Sequence, residues 1–215
     1  GKNSNAIEPL LVAENILVEH FSGSRNREIA KIKIDLGNLF LLLNAPEKAK
    51  HYFQDALTLF SVEPGNLFPE NTVTTAYEGL GKCWELQNRD SAIANYILAV
   101  RNDNYTAQLI PATYNSINKN FTDGDLAEKT ITLLHKKYLE TRDQKWLQKQ
   151  LWITEMSKAR KLIDANNEVK RETGDSIQKM NFAVLRNEYQ LLAMTATDSS
   201  KKLIAARIRA LESSN

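Results

Sequence analysis

Three histidines, His20, His51 and His135, and one cysteine, Cys83, are the side chains best suited to metal ligation, proton transfer or nucleophilic attack. A zinc site needs ligands at short, convergent spacings, and a catalytic nucleophile needs a base held beside it by a third group. The histidines fall on three separate helical stretches with neither arrangement. The chain contains no H-E-x-x-H, no G-x-S-x-G and no glycine loop of the kind that cradles phosphate. Cys83 stands one residue before Trp84 in an apolar helical segment, where a free thiol packs as a small hydrophobe. Asp123 and Asp125 flank Gly124 at an expected helix start, where carboxylates cap amides and complement the dipole. The expectation is a non-catalytic chain with no cofactor and no metal. A helical enzyme would require the histidines to converge with acids in a closed pocket.

The elements that must position these residues are helices. Apolar residues recur at steps of three and four nearly throughout and alternating β-branched runs are few, so the fold class is all-α. A first helix is expected over 9–21, with Leu10, Ala13, Leu17 and Phe21 on one stripe, ended by Ser22-Gly23-Ser24. A helix over 26–43 follows. The turn Asn44-Ala45-Pro46-Glu47 then opens a helix to residue 60, because proline suits the first helical position and glutamate the dipole. The connector Pro64-Gly65-Asn66-Leu67-Phe68-Pro69 leads to helices over 72–86 and 91–100. Helices over 105–120 and 126–139 make a third pair around Thr122-Asp123-Gly124-Asp125. Thr141-x2-Gln144 reads as a capping box opening a long helix.

One motif occurs twice. Leu36-Gly37-x2-Phe40 is followed by Ala49-x3-Phe53-x2-Ala56, and Leu80-Gly81-x2-Trp84 by Ala92-x3-Tyr96-x2-Ala99. Small residues let two antiparallel helices approach and the aromatic residues fill the space between them. Ala30 and Leu57 extend the first copy, and Thr74 and Val100 stand at the same places in the second. The pattern resembles the tetratricopeptide repeat. Gly37 and Gly81 lie 44 residues apart against a standard period of about 34, and the extra segment is 64–73. This longer period is similar to that of kinesin light chains. The resemblance covers residues 30–100 and thins in the third pair, where Ala127, Ile131 and Leu134 remain, as in a repeat that caps a stack.

What the resemblance implies is a right-handed α-α superhelix whose first helices line a concave groove. The family's partner-contacting positions fall on Lys31, Ile34, Asn38, Leu41 and Leu42 in one repeat. In the other they fall on Thr75, Glu78, Lys82, Glu85 and Leu86. The polar members, Lys31, Asn38, Thr75, Glu78, Lys82 and Glu85, form the expected partner-binding groove, and each also suits a solvated helix face. Asn38 matches the asparagine with which some family members clamp a terminal carboxylate, but Ile34 replaces the clamp lysine. The mixed charge points to a polar peptide or a helix rather than one strongly charged ligand.

The expected organisation is helical repeats over 7–140 and a C-terminal helical extension over 141–215. In the extension, Trp152, Met156, Ala159 and Ile163 share one stripe and Ile177, Met180, Val184 and Leu191 another. These helices either fold back on the last repeat or project as an arm forming a homodimer; Asn166, Asn167 and Lys170 interrupt a heptad seam and favour folding back. Trp146 and Trp152, six residues apart, point to different sides. Residues 1–140 carry a net charge of −3 and residues 141–215 one of +5, too interspersed for a nucleic-acid surface. The longest apolar run, 39–43, is far short of the ~18 to 20 residues that span a bilayer. The chain opens on Gly1 and a polar stretch, which fits a cloning scar or the removal of a leader, and the single cysteine leaves the compartment open. The function expected is a protein-interaction scaffold holding a peptide or helix. The alternative is the sensory or regulatory region of a longer signalling protein, with the C-terminal helices as transmitter.

Overall fold

The helical periodicity is realised among the described residues. A computed structural model describes residues 6–20, 27–60, 65–109, 126–173 and 206–207. Among the described residues there are seven long helices and no strand: α1 (Ile7–His20), α2 (Arg27–Leu42), α3 (Pro46–Leu59), α4 (Asn71–Trp84), α5 (Arg89–Leu109), α6 (Leu126–Thr141) and α7 (Gln144–Thr173). They divide between two compact units, one of residues 1–66 with 173–215 and one of residues 67–172.

In the first unit α2 and α3 form an antiparallel pair and α1 packs on α2. The turn between the pair is set by Asn44, whose φ of 56° only a few residue types tolerate. Its amide donates to the Leu41 carbonyl at 2.9 Å and that of Ala45 to Phe40 at 2.8 Å, a Schellman ending that satisfies carbonyls the helix leaves open. Pro46 then occupies the start of α3, where no amide is needed. Ala30, Leu36, Ala49, Phe53 and Ala56 are buried at the contact. A β-carbon on Gly37 would stand 2.8 Å from the Phe53 ring, so this glycine exists to let the aromatic ring in. Phe40 lies at the margin, stacked on Tyr52 with ring centroids 5.3 Å apart.

The second unit repeats that packing. α4 and α5 pair antiparallel, with Thr74, Leu80, Ala92, Tyr96 and Ala99 buried, and a β-carbon on Gly81 would meet the Tyr96 ring at 2.7 Å. Asn88 opens α5 by accepting from the Ser91 amide at 3.1 Å. The core continues through Ile93 and Val100 of α5 to Leu134 of α6 and to Trp146 and Ile153 of α7. The position expected to end the repeats, between residues 140 and 141, thus falls beside a shared core.

Three local expectations need correction. The break expected between residues 100 and 105 is absent, because α5 is one helix to Leu109. Asn102 and Asn104 favour turns by propensity, but Asn102 is fully buried and its side chain is consumed by tertiary bonds. Its Oδ1 accepts from the Phe68 amide at 2.8 Å, and its Nδ2 donates to the Glu70 carbonyl at 3.1 Å and to Thr74 Oγ1 at 3.0 Å. The long helix is capped by Asp143 rather than Thr141: Asp143 Oδ1 accepts from the Lys145 amide at 3.0 Å, and Arg142, at φ 57°, ends α6. On α7 the buried stripe is Trp146 and Ile153 with Met156 beside it, whereas Trp152 is 44% exposed and Ala159 is also exposed. The rest of the expected third-pair helix, 110–120, its turn at 122–125, Phe21 and the second C-terminal stripe lie outside the described residues.

Candidate binding surface

Lys31 and Asn38 belong to the first unit, and Thr75, Glu78, Lys82 and Glu85 to the second. The last three, on α4 and at its end, are tied into a network rather than presented singly. Glu78 is buried at 4% exposure and accepts from Lys82 Nζ at 2.7 Å, one helical turn on. Glu85 follows α4, where its carboxylate receives the Tyr96 hydroxyl from α5 and Lys129 Nζ from α6 at 2.5 Å. Lys129 Nζ also lies 4.8 Å from the Tyr96 ring centroid, close enough for the ring's negative face to attract it.

The electrostatics follow from these contacts. Burial on its own would push Glu85 upward, but the hydrogen bonds from Lys129 and Tyr96, with the charges of Lys129 and Lys82, hold its carboxyl below the usual range. Tyr96 is pushed well above the usual phenol range, first by burial and then by its bond to Glu85, so the hydroxyl remains a donor. Thr75 Oγ1 donates to the Asn71 carbonyl at 3.1 Å, an ordinary back-bond within the helix. Two carboxylates and two ammonium groups of this face thus neutralise one another.

On α2, Lys31 is exposed and pairs with Glu28 at 2.9 Å, and Asn38 is half-buried. Ile34 is buried and takes part in helix packing, while Leu41 is half-buried. Leu42, the last residue of α2, and Leu86, in the turn that follows α4, occupy equivalent repeat positions and are 69% and 97% exposed.

His20 is on α1, His51 on α3 and His135 on α6, all exposed, with His51 Nε2 3.7 Å from Asp55 as its nearest acid. Among the described residues no cluster of three His, Cys, Asp or Glu side chains has metal-holding geometry. Cys83 is buried.

Sequence reasoning missed the contributions from other helices. Lys129 and Tyr96 were the unseen partners of Glu85, and nothing in local spacing links a residue on α6 to the end of α4. Lys33 was missed likewise: its ammonium lies 2.6 Å from Glu14 on α1 and 3.1 Å from Asp55 on α3. Burial alone would lower the Lys33 pKa, and these two carboxylates outweigh it and raise it. Comparison with protein-family models, with curated proteins and with solved structures returned no match.

Proposed function

We propose that the chain is a non-catalytic scaffold of tetratricopeptide-like helix pairs that binds a peptide or helix through the outward residues of the first helix in each pair and of the turn that ends it. What supports this reading is one packing solution used twice. Gly37 against Phe53 and Gly81 against Tyr96 sit in the same relation, and Ala30, Leu36, Ala49 and Ala56 are buried as are Thr74, Leu80, Ala92 and Ala99. The outward positions change between the pairs: Lys31 against Thr75, Asn38 against Lys82, Leu41 against Glu85. Small and aromatic residues at the helix contact in both pairs, with the buried exception of Ile34 against Glu78, and varied residues outside it are the division of labour a repeat scaffold requires. Leu42 and Leu86 stay apolar in both although neither is needed for the core, so they are the anchors of this reading.

Site-specific photo-cross-linking tests it. A photoreactive residue at Leu42 or Leu86 of the full chain is exposed to an extract of the native source, with controls at Gln54 and Ala94, which are exposed on the second helices. The same protein captured at Leu42 and Leu86, and absent at the controls, supports the scaffold. No capture, or equal capture at Gln54 and Ala94, counts against it.

A further inference from the structure

α1 is apolar on more than the side it buries. Ile7, Leu10, Ala13 and Leu17 recur at helical spacing and are half-buried, as is Glu14, which pairs with Lys33 of α2. The opposite side carries Val12 and Ile16, each 52% exposed, flanked by exposed Leu11 and Val18. Apolar residues thus stand on both sides of the helix, yet no residue of α1 is fully buried. Among the described residues this outer apolar side is not buried against any other element.

Charge defines what would cover it. Glu8, Val12, Ile16 and Glu19 follow one another at steps of four, four and three, so an aliphatic pair is bracketed by a carboxylate at each end. Both glutamates are exposed, and neither forms an ion pair among the described residues. Glu19 also lies in the last turn of α1, where the dipole disfavours a negative charge, so helix stability does not explain it. Bracketing carboxylates would repel an anionic bilayer, which argues against a lipid surface. We propose that this face of α1 is a docking site for an amphipathic helix with an aliphatic centre and a lysine or arginine towards each end. The two glutamates are eleven residues apart, so the partner's cations stand about 16 Å apart, three helical turns. This face lies on α1, outside the first helices of the pairs, and the inference does not depend on the scaffold reading.

The test uses the full chain and two synthetic alanine-rich helical peptides with leucines along one face. One peptide carries lysines eleven positions apart around the leucines, and the other carries glutamates there. Fluorescence anisotropy is expected to show binding of the lysine peptide and about fivefold weaker binding of the glutamate peptide, since two exposed ion pairs distinguish them. Ile16→Asp, with an unchanged far-ultraviolet circular dichroism spectrum, lowers affinity for the lysine peptide about tenfold or more. Glu8→Lys combined with Glu19→Lys reverses the preference. Equal affinity for the two peptides, no binding of the lysine peptide, or an unreversed preference in the double variant overturns the proposal. The charge variants decide the matter even if Ile16→Asp misfolds, because both glutamates are exposed.

Discussion

Replacing Asn102 with alanine tests how the connector before α4 is held to α5. The side chain makes three hydrogen bonds, to the Phe68 amide, the Glu70 carbonyl and Thr74 Oγ1, and is fully buried. At about 1 kcal/mol net for each bond the loss is about 3 kcal/mol. Alanine's better helix propensity returns about 0.6 kcal/mol, leaving a destabilisation of about 2 to 3 kcal/mol. Asn104→Ala is the matched control, since Asn104 is also buried but makes one local bond, from Nδ2 to the Val100 carbonyl at 3.1 Å. The same arithmetic gives it about 0.5 kcal/mol. Urea unfolding followed by circular dichroism measures both. Hydrogen exchange adds the location: amides of residues 68 and 70–74 lose protection in Asn102→Ala and keep it in Asn104→Ala. Two variants within about 0.5 kcal/mol of each other would refute the argument that tertiary bonds at Asn102 hold α5 continuous and fix the entry to α4.

Phe53→Ala is expected to cost about 3 to 5 kcal/mol in the same assay by opening a cavity between α2 and α3, and a loss below about 1 kcal/mol would contradict the packing described. Lys82→Met leaves buried Glu78 without its closest cation and lowers stability by about 1 to 2 kcal/mol, discounted because Lys82 is one-third exposed; adding Glu78→Gln recovers most of it in a double-mutant cycle. Glu85 has a lowered pKa in the fold, so its contribution is present above the ordinary glutamate value of about 4.5 and is lost as pH falls through the folded value. Denaturation midpoints should accordingly fall more steeply between about pH 5 and 3 in the native chain than in Glu85→Gln. Leu86→Asp, at a position 97% exposed, leaves stability within about 0.5 kcal/mol while removing capture of the partner identified at Leu42 and Leu86.

The helices and both packed pairs were legible because their signals are short-range. Glycine, alanine and aromatic residues at fixed steps describe one close approach, and the structure places Gly37 on Phe53 and Gly81 on Tyr96 accordingly. The helix boundary at residue 100 was misread for the opposite reason. Asn102 looks like a helix breaker within its own segment and becomes a helix-interior residue only because Phe68, Glu70 and Thr74, more than twenty-five residues away, accept or supply its hydrogen bonds. The stripe on α7 failed differently. Trp146 and Ile153 are as regularly spaced as Trp152 and Met156, and periodicity cannot choose between two apolar stripes of one helix until the neighbouring core is known.

Pairing also changes what the polar residues of α4 can do for recognition. The repeat resemblance implies Glu78, Lys82 and Glu85 as partner-contacting residues, and a partner meeting them would have to compete with bonds already made inside the chain. Reversing Lys82 would strand a carboxylate that is 4% exposed, so weakened binding in such a variant would report damage to the fold as readily as lost recognition. Removing Glu85 would likewise take the acceptor from Tyr96 and the anion from Lys129. Leu86 carries neither complication, since almost all of its surface is open and no core residue depends on it. Binding lost at Leu86 with stability retained is consequently the observation that separates a recognition surface from a structural ion-pair network.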